Sequence, residues 1–232
     1  MIEKQRDSAE MFDQIAGTYD FLNHLLSFNI DRRWRRVAVK TLIDLHPQRI
    51  LDVATGTADL ALAALRLNPK GIVGVDVSQK MLDIAKMKVE KRNLGHQIHF
   101  QQAAAESLPF DESTFDAAMV AFGVRNFNDP LIGLTEIFRV LRPNGRLVIL
   151  EFTLPNNRLM LNLYRFYFHR LLPRIGQLFS KDFPAYQYLP ESVEKFPKGL
   201  GFNEIMGKAG FIQTTYKSLT GGICGLYTGT KM

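Results

Sequence analysis

The chain has one cysteine, Cys224, in 232 residues. That excludes an internal disulfide framework and a metal cage built on thiolates. Histidine is almost as scarce, with His24, His46, His96, His99 and His169. His96 and His99 are three positions apart, at an expected strand start and without a third ligand nearby, so they read as surface residues and no metal site is expected. No uncharged apolar run approaches the length that crosses a bilayer. The opening MIEKQRDSAEMF mixes both charges and has no apolar core, unlike a secretory signal. No phosphate loop, nucleophile elbow, internal repeat or low-complexity tract appears. The expectation is a single-domain protein of the cytoplasm.

What is present is organised around Ile50–Leu60, ILDVATGTADL. An apolar run, a turn of small residues and a helix start follow one another there. Open α/β sheets use this unit to hold a ligand at the carboxyl end of a strand. A second apolar run, IVGVDVS, ends in Asp76, twenty positions after Gly56. That spacing suits a carboxylate reaching the ribose hydroxyls of a nucleoside whose other end lies over the first turn.

The alternation continues. Strands are expected at 50–54, 72–77, 97–101, 115–121 and 146–152, and helices at 59–67, 79–92 and 130–141. Residues 211–219 and 223–230 read as two closing strands around Gly221-Gly222. The fold class is therefore α/β, a mostly parallel, Rossmann-like sheet of seven strands with an antiparallel C-terminal edge strand. Residues 1–45 read as a helical lid, 46–154 as the ligand-binding core, 155–210 as a helical cover and 211–232 as the closing strands of the same sheet. In the lid, Ser8–Ile15 reads helical, Asp31 is placed to cap the next helix, and Trp34 anchors a face rich in arginine. The run 155–181 has five basic residues, no acidic one and many aromatics. It suits a hydrophobic pocket or a membrane surface better than a base-stacking platform, so no nucleic-acid partner is expected despite the net charge of +6.

The first turn carries one glycine, Gly56, which is poor for a pyrophosphate. It suits a small zwitterionic tail instead, with Thr57 and backbone groups as partners and Asp52 facing the ammonium. These features favour S-adenosylmethionine over a nicotinamide dinucleotide. A third contact set is expected at Ala103–Phe110, where small residues admit a flat adenine beside the Ala105 amide. Arg125 and Asn126 follow the fourth apolar run, at the rim where ligands bind.

Three blocks then carry a likeness: Tyr19-Asp20-Phe21-Leu22-Asn23 with Trp34, Ala121 to Asn126, and Arg139 to Gly145 running on to Glu151. Together with the Gly56-Thr57 turn and Asp76, the chain resembles the menaquinone and ubiquinone biosynthesis C-methyltransferases. These belong to the class I S-adenosylmethionine-dependent enzymes, and the pattern is nearest the branch that methylates demethylmenaquinone. The likeness spans about residue 5 to the end. It implies cofactor contacts at Thr57, Asp76, Ala104, Ala105 and Ala121, which join Asp52, Gly56 and Val77 in the expected cofactor set. The family usually has a histidine where this chain has Asp31, a polar residue at Ala104 and a serine at Ala121. The resemblance implies methylation of demethylmenaquinol to menaquinol. The alternative is the polyprenyl methoxybenzoquinol of the ubiquinone route, or both quinols. Arg125 is the expected partner of the developing oxyanion. Tyr19, Asp20 and Asn23 are expected to orient substrate, with Asp20 the candidate base. The expected partners are a prenylated quinol and, transiently, the inner membrane surface. A homodimer is kept open because such dimers are common.

Overall fold

The computed structural model describes Asp13, Ala16, residues 29–155, residues 157–166, Arg170 and residues 192–232. Seven strands form one sheet: β1 Arg49–Val53, β2 Gly71–Asp76, β3 Ile98–Gln102, β4 Phe115–Ala121, β5 Leu141–Phe152, β6 Ile212–Leu219 and β7 Cys224–Thr230. Their spatial order is β3-β2-β1-β4-β5-β7-β6. The first five run parallel, and β7 is antiparallel to both β5 and β6. The reversed strand is thus β7, one place in from the edge, while β6 forms the edge itself. The chain order reverses between β1 and β4, and the switch point of an open α/β sheet lies there.

The inner strands have almost no exposed residue, because helices cover both faces. Alternation then sorts their side chains. Ile50, Met119 and Leu150 join one cluster with Trp34, Ala38, Leu60, Ala61 and Val89. Leu51, Val120 and Ile149 join the other, with Leu134, Ile137, Phe202 and Tyr227. The first face is covered by α1 Ile30–Lys40, α2 Asp59–Ala64 and α3 Gln79–Glu90. The second is covered by α4 Pro130–Val140 and α6 Leu200–Lys208. α5 Arg158–Phe166 follows β5 in the chain.

Local sequence accounts for several boundaries. Asp129 caps α4, its carboxylate accepting the Leu131 and Ile132 N–H groups, with Pro130 at the first helical position. Ser78 caps α3 by accepting the Met81 N–H at 3.1 Å. The expected cap at Asp31 is not formed. The helix starts one residue earlier, at Ile30, and the Asp31 carboxylate is taken by Arg35 one turn on. β5 also starts earlier than the expected residue 146. The Pro143-Asn144-Gly145 turn is absorbed into the strand as an irregularity, with Asn144 at φ 63°. Of Ser8–Ile15 only Asp13, which is helical, is among the described residues, and most of the run 155–181 lies outside them.

Within the first face, α1 is fastened to the core. Trp34 is 4% exposed, donates its Nε1–H to the Thr220 hydroxyl at 2.8 Å, and meets Phe122 and Phe152, whose rings stack 4.4 Å apart.

Candidate active site

The carboxyl ends of β1, β2 and β4 surround a crevice of about 670 Å³. Its opening is made by small residues. Ala54 follows β1 and Gly123 follows β4, so close that a Cβ on Gly123 would lie 2.5 Å from that of Ala54. The residues that end these two strands take left-handed backbone, Ala54 at φ 53° and Phe122 at φ 61°. Non-glycine residues adopt that region at a cost, and such strain clusters at sites. Here it turns the chain sharply at both sides of the crevice.

Asp76 sits at the end of β2, 8% exposed, and lines the crevice. One oxygen accepts the Gly56 N–H at 2.8 Å and the other accepts the Ser78 N–H at 2.9 Å. Burial raises the acid's pKa, and these amide bonds work against the rise. The carboxylate thereby ties the glycine turn to the second strand end. Val77 and Ala121 line the same crevice, as does Ala105. Ala104 does not: it pairs with Ser107 in an isolated bridge, while Ala103 and Ala105 on either side face the crevice.

A smaller chamber of about 370 Å³ adjoins it, sharing Ala54, Gly56, Ala121 and Phe122 as common wall. Asp52, Thr57, Asp59 and Arg35 complete it. Strand parity puts Asp52 on the same face as Ile50, beneath α1, where Arg35 lines the same chamber; the Arg35 guanidinium is itself paired with Asp31 and Asp59. Asp52 Oδ2 accepts from the Thr55 hydroxyl at 2.6 Å and the Ala61 N–H at 3.1 Å. Its Oδ1 is buried with no hydrogen-bond partner among the described residues, and so is Arg35 Nε. Burial pushes the Asp52 carboxyl up to about 7, against the opposing pull of Thr55, Ala61 and Arg35. Thr57 is buried, and its hydroxyl accepts from Lys88 Nζ at 3.1 Å.

The structure does not bring the Arg125 guanidinium into the crevice. It is paired with the fully buried Glu151 at 2.5 Å, donates to the Phe122 carbonyl at 2.6 Å and lies over the Phe152 ring. The next residue, Asn126, lines the crevice instead. A guanidinium among buried aromatics needs its counter-charge, and Glu151 supplies it from β5. Tyr19, Asp20 and Asn23 lie outside the described residues.

Sequence reasoning missed Arg35, Glu151, Glu106 and Met81. Glu106 lines the crevice and accepts the Asn128 N–H at 2.6 Å, holding the loop before α4. Met81 lines it from the first turn of α3. The signal for Arg35 is its place four residues after Asp31, on the helix stripe that carries Trp34, Ala38 and Val39. A charged pair on a core-facing stripe is held inside.

Among solved structures, an S-adenosylmethionine-dependent methyltransferase from Aquifex aeolicus superposes with a TM-score of 0.59 at 18% identity, covering 80% of this chain and 82% of that one. A phosphoethanolamine N-methyltransferase of Haemonchus contortus, in complex with S-adenosyl-L-methionine, matches with TM-score 0.59 at 17% identity over 79% of this chain and 48% of that one. At such identities the likeness carries the fold alone. Sequence relatives are nearer. A Bacteroides fragilis protein named demethylmenaquinone methyltransferase is 45% identical over 230 residues, covering 99% of this chain and 94% of its own length. The ubiquinone/menaquinone biosynthesis C-methyltransferase UbiE of Geobacter sulfurreducens is 48% identical over 233 residues, covering 100% and 91%. The model of the ubiE/COQ5 methyltransferase family matches residues 1–231, and with relatives this similar over nearly their full length, the chain belongs to that family.

Proposed function

We propose that the protein uses S-adenosylmethionine to methylate a ring carbon of demethylmenaquinol, giving menaquinol. The carrying observation is the pair of unsatisfied buried atoms in the small chamber. Arg35 Nε is a cationic donor and Asp52 Oδ1 an anionic acceptor, and both line one space beside the glycine turn. A small zwitterion offers an acceptor to the first and a donor to the second, and the amino-acid end of the cofactor is one. Arg35 then takes its carboxylate and Asp52 its ammonium. In the adjoining crevice, Asp76 takes the ribose hydroxyls, while Val77, Ala105 and Ala121 border the adenosine.

When bound, the cofactor supplies a methyl group already activated on a sulfonium. The chain's own task is to orient the ring, exclude water and handle one proton. A quinol carbon beside a hydroxyl becomes nucleophilic as that hydroxyl gives up its proton. The ring C–H is replaced by C–CH3, and one proton leaves in all. Asn126 lines the crevice and is assigned the developing oxyanion. Arg125, expected from the sequence for that task, is assigned to hold the Val124–Asn126 turn in place through Glu151. Tyr19, Asp20 and Asn23 retain their proposed tasks of closing the site and, for Asp20, accepting the proton.

Methylation of the ubiquinone-route benzoquinol is the second reading, favoured by the name of the Geobacter relative, which joins both routes. For the prenyl tail we propose α5 and contact with the inner membrane surface. Leu159 and Phe166 are 80% and 61% exposed there, beside the exposed Arg158 and Arg165. Among the described residues no helix is long and apolar enough to cross a membrane, so such contact is peripheral in this reading. A homodimer stays in the proposal only as the commonest assembly, and equilibrium sedimentation decides it.

The test is transfer of labelled methyl from S-adenosylmethionine to short-chain demethylmenaquinol and to the benzoquinol, together with cofactor binding by calorimetry. Asp76→Ala is expected to abolish binding and turnover together. Tight binding by that variant, or methylation of neither quinol by the wild type, overturns the reading.

A further inference from the structure

Four exposed arginines line a groove bordered by α1, α2 and the end of α3. Arg32 and Arg36 stand one turn apart on α1, Arg66 lies in the turn that follows α2, and Arg92 lies just past α3. Leu62 and Ala63, both half-buried on α2, give the groove an apolar patch. The groove is more open to solvent than the crevice.

The charges in this groove are unbalanced. None of the four arginines has a carboxylate within ion-pair distance among the described residues. The one acid in the groove, Asp59, is already engaged by Lys88 at 2.8 Å and by Arg35 at 3.7 Å. Arg36 donates only to the Arg32 carbonyl, at 3.3 Å. Elsewhere on the protein arginines are paired: Arg139 with Glu136, Arg142 with Asp116 and Arg146 with Asp44. Like charges from three separate elements repel across a shared concave space, and packing gives no reason to gather exposed groups there. Guanidinium forks match phosphate oxygens in geometry as well as in charge.

We propose that this groove is a binding site for a phosphate-bearing ligand, gripped by Arg32, Arg36, Arg66 and Arg92, with its uncharged part against Leu62 and Ala63. The ligand chemistry has two sources, a lipid headgroup or a soluble polyphosphate. The groove adjoins the chamber, with which it shares Arg35 and Asp59, but none of the four gripping arginines lines the crevice or the chamber.

The experiment titrates the full chain with tripolyphosphate and, separately, with dihexanoyl phosphatidylglycerol kept below its micelle threshold, so that adsorption to a membrane surface plays no part. Wild type is compared with an Arg66→Glu, Arg92→Glu double variant. At least one probe is expected to bind in a salt-sensitive way, and the variant to bind it at least about tenfold more weakly. The variant's S-adenosylmethionine affinity is expected to stay within about twofold, and its melting temperature not to fall, because repulsion has been relieved. Loss confined to the lipid arm or to the polyphosphate arm identifies the source and supports the site either way. Binding of neither probe at low salt, or binding unchanged in the variant, overturns the proposal. So does a short RNA duplex that binds through the same arginines more tightly than both probes.

Discussion

Glu151 and Arg125 form an ion pair 2.5 Å long, with the glutamate fully buried and the arginine side chain 7% exposed. The glutamate also accepts the Arg125 backbone N–H at 3.2 Å and its own neighbour's N–H, from Phe152, at 2.9 Å. One carboxylate therefore fixes both the charge and the backbone of the turn that carries Asn126 to the crevice. Glu151→Ala leaves a buried guanidinium without its partner and is expected to destabilise the fold by about 3–5 kcal/mol, measured by urea unfolding. Glu151→Gln should cost less, about 1–3 kcal/mol, because it keeps an acceptor.

Arg35 carries a prediction that depends on the ligand. Arg35→Met should weaken S-adenosylmethionine binding by about 30- to 100-fold, the loss of one charge-assisted hydrogen bond to a carboxylate. The same variant should bind the decarboxylated cofactor about as well as wild type does. Calorimetry with both ligands separates a carboxylate clamp from a general loss of folding, which would weaken both.

The pH dependence follows from Asp52. Its ligand-free carboxyl is pushed up to about 7 by burial, so the folded value lies above the unfolded one. The protonated form is the one that favours folding. The stability this group contributes is fully present below about pH 4 and is lost as pH rises through 7. The ammonium of the cofactor needs the ionised form, so binding should tighten as pH rises, by up to about tenfold per unit below pH 7. Asp52→Asn is expected to flatten that slope and to raise the ligand-free melting temperature at pH 8. Calorimetry from pH 6 to pH 8 and thermal melts check the two halves.

Gly123→Ala tests the shape of the crevice. The added methyl would meet the Ala54 side chain at 2.5 Å, and Ala54 already holds left-handed backbone. Overpacking of this kind is expected to cost about 1–3 kcal/mol. It should also push the two crevice walls apart, so cofactor affinity should fall further than stability does. Parallel binding and unfolding measurements distinguish the two effects.

On α5, Arg158→Glu with Arg165→Glu should reduce co-sedimentation with phosphatidylglycerol vesicles and leave binding to phosphatidylcholine unchanged. Each cation near an anionic surface is worth about 1 kcal/mol, so the pair should lower partitioning by an order of magnitude or more. Retained sedimentation would remove α5 from the membrane reading.

The sequence by itself determined the parts that local chemistry controls. The apolar runs and helical periods put β1 through β5 in their places, and Asp129-Pro130 set the start of α4. The twenty-residue interval between Gly56 and Asp76 singled out two positions that the fold brings into contact, the Asp76 carboxylate accepting the Gly56 N–H at 2.8 Å. The tertiary structure alone decided what depends on registers across the sheet. Which strand sits between β5 and β6 is set by long-range pairing and leaves no mark in either strand's own pattern. Asp52 and Arg35 come to line one chamber, and Glu151 pairs with Arg125, because strand parity and helix docking bring distant residues to one face. A neighbour-by-neighbour reading finds each of these charges but not its partner, since electrostatic pairing in a core depends on distance in space rather than along the chain.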